Sequence, residues 1–239
     1  MMKPFIEREN EIFDILDSFN KTELNYVLIG GYAISAYMHR FSVDADVCID
    51  KKDLGSFQNI LKTKHFALTK GKIPEDACKG HFESYIKKTK LPVTVDLMIG
   101  SVASRQTNAS FSFNQLYGNS AAKKITGIEK TIRARIPVKE LLIALKIHSA
   151  RLTDARDIAA LCHEINFELV AGFVNTGNTK ELHHNLNTLE MNFKSDNFKD
   201  AFKGVFSIEK LPKDNIENAI KLIERLKLSF DQRKNIART

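Results

Sequence analysis

Asp44 and Asp46 stand two residues apart in a run, Val43–Asp50, whose side chains alternate in character. A strand repeat of two sets Asp44, Asp46, Cys48 and Asp50 on one face and Val43, Ala45, Val47 and Ile49 on the other. Two neighbouring ionised carboxylates repel one another, and a bound divalent cation removes that cost. Oxygen-only donors suit Mg²⁺ or Mn²⁺ rather than zinc. A third carboxylate, Asp96, lies in a second alternating run, where Val93, Val95, Leu97 and Ile99 interleave with Thr94, Asp96 and Met98. A carboxylate in so apolar a strand is costly unless it faces an ion or an active-site edge; the other reading is the solvent face of an edge strand. Three carboxylates on two strands can bracket two ions, one activating an attacking hydroxyl and the other neutralising a leaving pyrophosphate.

The second chemical feature is Gly30-Gly31, between an apolar strand pattern (YVLIG, Tyr26–Gly30) and a helical one (Tyr32–His39). Glycine allows close backbone approach to a ligand, and a helix start presents free N–H groups to phosphate. An ordinary tight turn is the alternative. The pair is not part of a G-x-G-x-x-G fingerprint, and there is no G-x-x-x-x-G-K-[ST] loop, so neither a dinucleotide-binding nor a P-loop site is expected. The histidines form no ligand spacing: His148 and His163 are far apart, and His183-His184 point different ways on a helix.

The elements around these residues divide the chain. Glu9–Phe19 carries Ile12, Phe13, Ile15, Leu16 and Phe19 at helical spacing. Leu54–Leu61 is again helical, His81–Lys88 and Val93–Ile99 are strands, residues 100–120 are loop-like, and Ile132–Ile136 is a last strand stopped by Pro137. From Val138 onward the pattern is helical: Glu140–Ala150, an amphipathic Asp157–Leu169, and a final helix with Asp214 and Glu217 as its capping box. The expectation is an α+β chain with a domain at 1–136 and a helical domain at 137–239.

Bulk properties narrow the partners. The formal charge of +7 favours a polyanion. The excess is spread, with 18 Lys/Arg against 15 Asp/Glu over residues 1–130 and 18 against 14 beyond, so no basic arm stands out and a mildly basic solvated surface is the other reading. Cys48, Cys78 and Cys162 form no C-x-x-C pair and suit a reducing compartment. The start, MMKPFIERENEI, has no apolar stretch of a secretory signal, and no apolar run is long enough to span a bilayer, so a cytoplasmic protein with no membrane partner is expected.

Gly30-Gly31 followed by Arg40-Phe41-Ser42-Val43-Asp44-Ala45-Asp46-Val47 resembles the signature of the DNA-polymerase-β-like nucleotidyltransferase superfamily, with Asp96 in the place of its third acidic residue. Further on, Lys139-Glu140-Leu141-Leu142, Ala144-Leu145-Lys146 and Arg151-Leu-Thr153-Asp154-Ala-Arg156-Asp157-Ile158 resemble the AbiEii/MenT-like toxin branch. These motifs cover Tyr26 to Leu161. Ser42 stands where the branch commonly has threonine, and Val43 and Thr153 where it has a basic residue. The resemblance implies a nucleotidyltransferase-fold mixed sheet with flanking helices, followed by a C-terminal helical bundle. It implies two Mg²⁺ or Mn²⁺ ions on Asp44, Asp46 and Asp96. It also implies an NTP such as ATP over Gly30 and Gly31 with Arg40, Ser42 and Lys146 assisting, and Asp154 orienting Lys146 or the base. The acceptor so implied is an RNA hydroxyl, such as a tRNA 3′ end, and the partner an antitoxin protein. Read from the residues alone, Lys146 sits among Leu142, Leu145 and Ile147, where an ammonium needs an anionic partner or must snorkel to water. Arg151, Asp154 and Asp157, three apart, can equally form a local ion-pair cluster. A small-molecule or protein hydroxyl as acceptor, and a catalytically silent nucleotide-binding protein, are the rival functions.

Overall fold

A computed structural model describes residues 3–72 and 81–236, with the side chains of 70–72 and 231–236 excepted. Cys78 lies outside the described residues. The chain divides into two compact units. One comprises the chain up to Ala103 together with Ser110–Val138; the other comprises Ser104–Ala109 together with the chain from Lys139 onward.

The first unit opens with helix α1 (Lys3–Lys21), which buries Ile12, Phe13, Ile15, Leu16 and Phe19 as one stripe. Strand β1 (Tyr26–Ile29) is buried at all four residues and leads into α2 (Gly30–Ser35). Strand β2 (Asp44–Ile49), helix α3 (Leu54–Thr63), and strands β3 (Ala67–Lys72), β4 (His81–Lys87) and β5 (Val93–Ile99) follow. They form a five-stranded mixed sheet in the order β1-β2-β5-β4-β3, in which only β2 and β5 run parallel. Strand β5 alternates buried and half-buried along its whole length, as expected for a strand with one face on the core. That core face is closed by aromatic packing: Phe19 of α1 meets Phe57 of α3 edge-on at 4.8 Å and Tyr26 of β1 at 5.7 Å.

Residues 100–120 are not a loop. Strands β6 (Ser101–Ala103) and β7 (Ser110–Ser112) pair there, and helix α4 (Phe113–Gly118) follows, capped by the Ser112 hydroxyl accepting from the Gln115 amide at 3.2 Å. Phe111, Phe113 and Leu116 are its buried anchors, three apolar residues in a Ser/Asn-rich background whose polar composition hid them. Strand β8 (Ser120–Thr126) pairs antiparallel with β9 (Thr131–Pro137). The proline falls at the last residue of β9, where a missing donor is tolerated. The helix expected at Tyr32–His39 instead starts at Gly30 and ends at Ser35, then continues as a turn through Met38.

The second unit is helical. Helix α5 (Lys139–Ser149) buries seven of its eleven residues, on every side, so it is the central helix of the unit. The single helix expected over Asp157–Leu169 is two: α6 (Leu152–Leu161) and α7 (Phe167–Val174). Glu164, at φ +50°, breaks the pattern, and Asn166 caps the new helix by accepting from the Leu169 amide at 3.1 Å. Helices α8 (Thr179–Lys194), α9 (Phe198–Phe206) and α10 (Lys213–Ile236) complete the unit. Helix α10 starts at Lys213, so Asp214 lies in its first turn rather than at its cap, where a carboxylate still favours the helix dipole. The segment Ser104–Ala109 is tied in through His148, whose Nδ1 lies 2.8 Å from Thr107 Oγ1 and whose carbonyl accepts from Ser104 at 2.7 Å.

Candidate active site

Asp46 on β2 and Asp96 on β5 are direct partners in the parallel register, with Asp44 across from Thr94. Period two keeps Asp44 on the same face as Asp46. The result is a cluster in which one carboxylate oxygen from each of the three lies within 4.8 Å of the others, all three residues being half-buried. Two oxygens on opposite sides of one Mg²⁺ lie about 4.2 Å apart, twice the 2.1 Å ligand distance, so a small inward movement suffices to share an ion. The donor set and its span fit a hard divalent cation.

Neutral donors hold two of the carboxylates in place. The Ser42 hydroxyl donates to Asp44 Oδ1 at 3.3 Å. The Ser84 hydroxyl donates to Asp96 Oδ1 at 2.6 Å, from the position on β4 directly opposite Asp96. Such outer hydrogen bonds fix the direction in which a ligand carboxylate presents its oxygens. Sequence reading named Ser42 but missed Ser84, because one serine in a strand carries no signal until the neighbouring strand and its register are known.

Gly30 and Gly31 are glycine for reasons of space. Gly30 has φ +66°, a conformation that side chains rarely adopt. A Cβ there would lie 1.8 Å from Asp46 Oδ2, so the backbone of the turn sits directly on the carboxylate. At Gly31 a Cβ would come within 2.3 Å of the Ser42 hydroxyl oxygen and 2.9 Å of Arg40 Nη2. Arg40 and Ser42 are thereby brought to the turn. Arg40 is further fixed by Ser35, whose hydroxyl donates to the Arg40 carbonyl at 2.6 Å and accepts from its amide at 3.1 Å. The Tyr32 hydroxyl donates to the Ser42 carbonyl at 3.3 Å.

Lys146 and Asp154 belong to the helical unit and meet each other there. Lys146 Nζ, on α5, lies 3.0 Å from Asp154 Oδ1 and 2.6 Å from Asp157 Oδ2, both on α6. Asp154 also accepts from the Arg151 amide at 2.8 Å and from Arg151 Nε at 3.1 Å. Burial pulls the Lys146 ammonium towards neutrality, but the Asp157 and Asp154 carboxylates outweigh it and hold its pKa above the ordinary value. For Asp154, burial works against ionisation, and Lys146 and Arg151 overcome it, so its pKa is lowered. Lys146 and Asp154 are therefore a charged pair at neutral pH.

No family model matches the sequence, and comparison with curated proteins finds no match. Solved structures do match. A Helicobacter pylori protein provisionally described as a nucleotidyltransferase aligns with a TM-score of 0.53 at 18% identity, covering 97% of this chain and 98% of that one. JHP933 from Helicobacter pylori aligns with a TM-score of 0.51 at 18% identity, covering 98% of this chain and 97% of that one. The chain has the nucleotidyltransferase fold. A third structure, the lincosamide antibiotic adenylyltransferase LnuA with lincomycin bound, aligns more loosely, with a TM-score of 0.44 at 20% identity over 64% of this chain and 95% of that one. No helix among the described residues is long and apolar enough to cross a membrane.

Proposed function

We propose that this protein is a divalent-metal-dependent nucleotidyltransferase that moves a nucleoside monophosphate from an NTP to an acceptor hydroxyl. The observation that carries the reading is the convergence of Asp44, Asp46 and Asp96 beneath a glycine turn whose backbone touches Asp46. Mg²⁺ or Mn²⁺ ions on the three carboxylates would supply charge neutralisation and polarisation of the reacting oxygens. The protein's own part is positioning, since phosphoryl transfer needs little covalent help from side chains. Ser42 and Ser84 aim the carboxylates. Gly30 and Gly31 let a triphosphate approach the backbone where any side chain would block it, and Arg40 offers a cation at that turn. Lys146, kept protonated by Asp157 and Asp154, is the proposed further contact for the triphosphate, with Asp154 fixing its direction.

For the acceptor we propose RNA, a tRNA 3′ end being the form suggested by resemblance to the AbiEii/MenT-like branch. The net charge of +7 supports a polyanionic acceptor. The same resemblance supports a toxin role, with an antitoxin protein as partner. The test supplies each of the four α-labelled NTPs with Mg²⁺ and, in separate reactions, total RNA, hydroxyl-rich small molecules including aminoglycosides, and protein. Label moving into RNA is the expected outcome. Transfer to a small molecule or a protein keeps the reaction and overturns the acceptor. NTP binding without transfer from any nucleotide overturns the enzymatic reading.

A further inference from the structure

The β8–β9 ribbon carries five Lys/Arg against one Glu between Ser120 and Pro137. Its inner face buries Ile125, Ile132, Ala134 and Ile136. On its outer face Lys124 stands directly opposite Arg133, and Ala122 opposite Arg135. Like charges facing each other across a strand pair destabilise it, so this pair is a local fault in the sheet unless an anion shares the site. Among the described residues no carboxylate lies within ion-pair distance of Lys124, Arg133 or Arg135. The same unit pairs other lysines readily: Lys21 with Asp17, Lys87 with Glu11 and Lys130 with Asp14.

The third cation on this face is held in a fixed direction. Arg135 Nη1 donates to the carbonyls of Tyr117 at 3.1 Å and Ser120 at 2.9 Å, and its guanidinium stacks 3.9 Å above the Tyr117 ring. These bonds orient the group without cancelling its charge. Beside it lies a hollow of about 330 Å³, whose lining includes Asn20, Asn25, Tyr26, Tyr117, Arg133 and Arg135. Pockets of this size take small ligands. Asn20 is occupied by Tyr26 and by the Arg133 carbonyl. Asn25 uses its oxygen to accept from Tyr117 at 2.8 Å and lines the hollow. Tyr26 is four residues before Gly30 on the same extended segment, a span of about 13 Å at the strand rise of 3.3 Å per residue. A short length of polynucleotide can reach from this hollow to the glycine turn.

We propose that this face holds single-stranded RNA, its phosphates on Lys124, Arg133 and Arg135 and one unstacked base in the hollow. A base can enter only if it is free of a duplex, and a cationic track beside an aromatic-walled hollow is how unpaired strands are gripped. This rests on the proposed transfer to RNA and names where the acceptor is held. The test is fluorescence anisotropy of a labelled 20-nucleotide single-stranded RNA with the full chain, without NTP or metal, over a salt series. Lys124→Ala/Arg133→Ala is expected to weaken binding at least tenfold and to flatten the slope of log K against log salt by about 1.4, two phosphate contacts at about 0.7 each. Lys21→Ala/Lys87→Ala, which removes the same charge from lysines already paired with Asp17 and Glu11, is expected to bind as the wild type does. Unchanged affinity and slope in the ribbon variant, or a wild type that binds only duplex nucleic acid or anionic vesicles, overturns the proposal. Because no turnover is needed, loss of the transfer reading and loss of the ribbon reading are separate results.

Discussion

The protein contains two carboxylate clusters built in opposite ways. Asp44, Asp46 and Asp96 are half-buried and bring one oxygen each within 4.8 Å of the others, and the neutral hydroxyls of Ser42 and Ser84 donate to Asp44 and Asp96. Those hydroxyls aim the charges but leave them in place. Asp154 and Asp157 are buried, and Lys146 lies between them as a protein-supplied cation. The first arrangement suits an ion from solution; in the second a lysine of α5 bridges two carboxylates of α6. Substitution in the sheet should therefore cost function with little loss of stability, whereas substitution of Lys146 should cost stability as well as the proposed triphosphate contact.

The largest effect expected is on the sheet. Asp44→Ala/Asp46→Ala should reduce transfer by about 10³-fold or more, the scale on which loss of charge stabilisation at a reacting centre is felt, with a thermal midpoint within a few degrees of the wild type. A variant as active as the wild type removes the site assignment. Lys146→Ala differs in costing stability too: breaking a buried ion pair should cost about 3–5 kcal/mol in denaturant unfolding. A stable Lys146→Ala protein with lost activity would dissolve the contrast and make Lys146 purely functional.

The helical unit also has a pH signature. Burial lowers the His148 pKa to about 4, the Val174 carbonyl opposing only part of this. Between that value and about 6.5 in the unfolded chain, the unfolded state binds more protons. Stability should fall by about 3 kcal/mol as the pH drops from 7 to 4. Asp154 adds to this at the acid end, because its lowered pKa makes a contribution present above the unfolded value and lost as the pH falls through the folded one. Urea titrations at several pH values check both, and His148→Gln should flatten the upper part of the profile. An unchanged profile in that variant would assign the acid sensitivity elsewhere.

Two smaller effects sharpen the sheet side. Gly30→Ala meets both a positive φ and Asp46 Oδ2, and should lower transfer about 100-fold, about 2.7 kcal/mol on the barrier; wild-type kinetics would mean that the turn is not part of the site. Ser84→Ala removes the hydroxyl on Asp96 and should weaken Mn²⁺ binding about tenfold, as loss of an outer hydrogen bond to a metal ligand does. Calorimetric titration reads this without turnover, and equal affinities would make Ser84 a packing residue only.

Legibility in the sequence followed the length scale of the interaction. The alternation of Val43–Asp50 and Val93–Ile99 gave two strands and the shared face of Asp44 and Asp46, since period two is a local rule. That Asp96 faces Asp46 depends on β2 and β5 pairing in parallel across an intervening helix and two strands, which spacing alone does not fix. Ser84 was invisible for the same reason. Residues 100–120 misled because polar composition masked three buried anchors, and Asp157–Leu169 misled because the apolar pattern ran on through a break set by Glu164 and Asn166. Spacing offers Asp157 a local cluster with Arg151 and Asp154; the structure also pairs it with Lys146 of α5.

The most direct test of the contrast between the clusters is Mn²⁺ binding followed by electron paramagnetic resonance. Wild-type protein should deplete the free Mn²⁺ signal, Asp46→Asn and Asp96→Asn should abolish this, and Asp154→Asn should leave it unchanged in whatever fraction remains folded. Binding that survives both sheet substitutions, or that vanishes with Asp154→Asn in folded protein, would contradict that contrast.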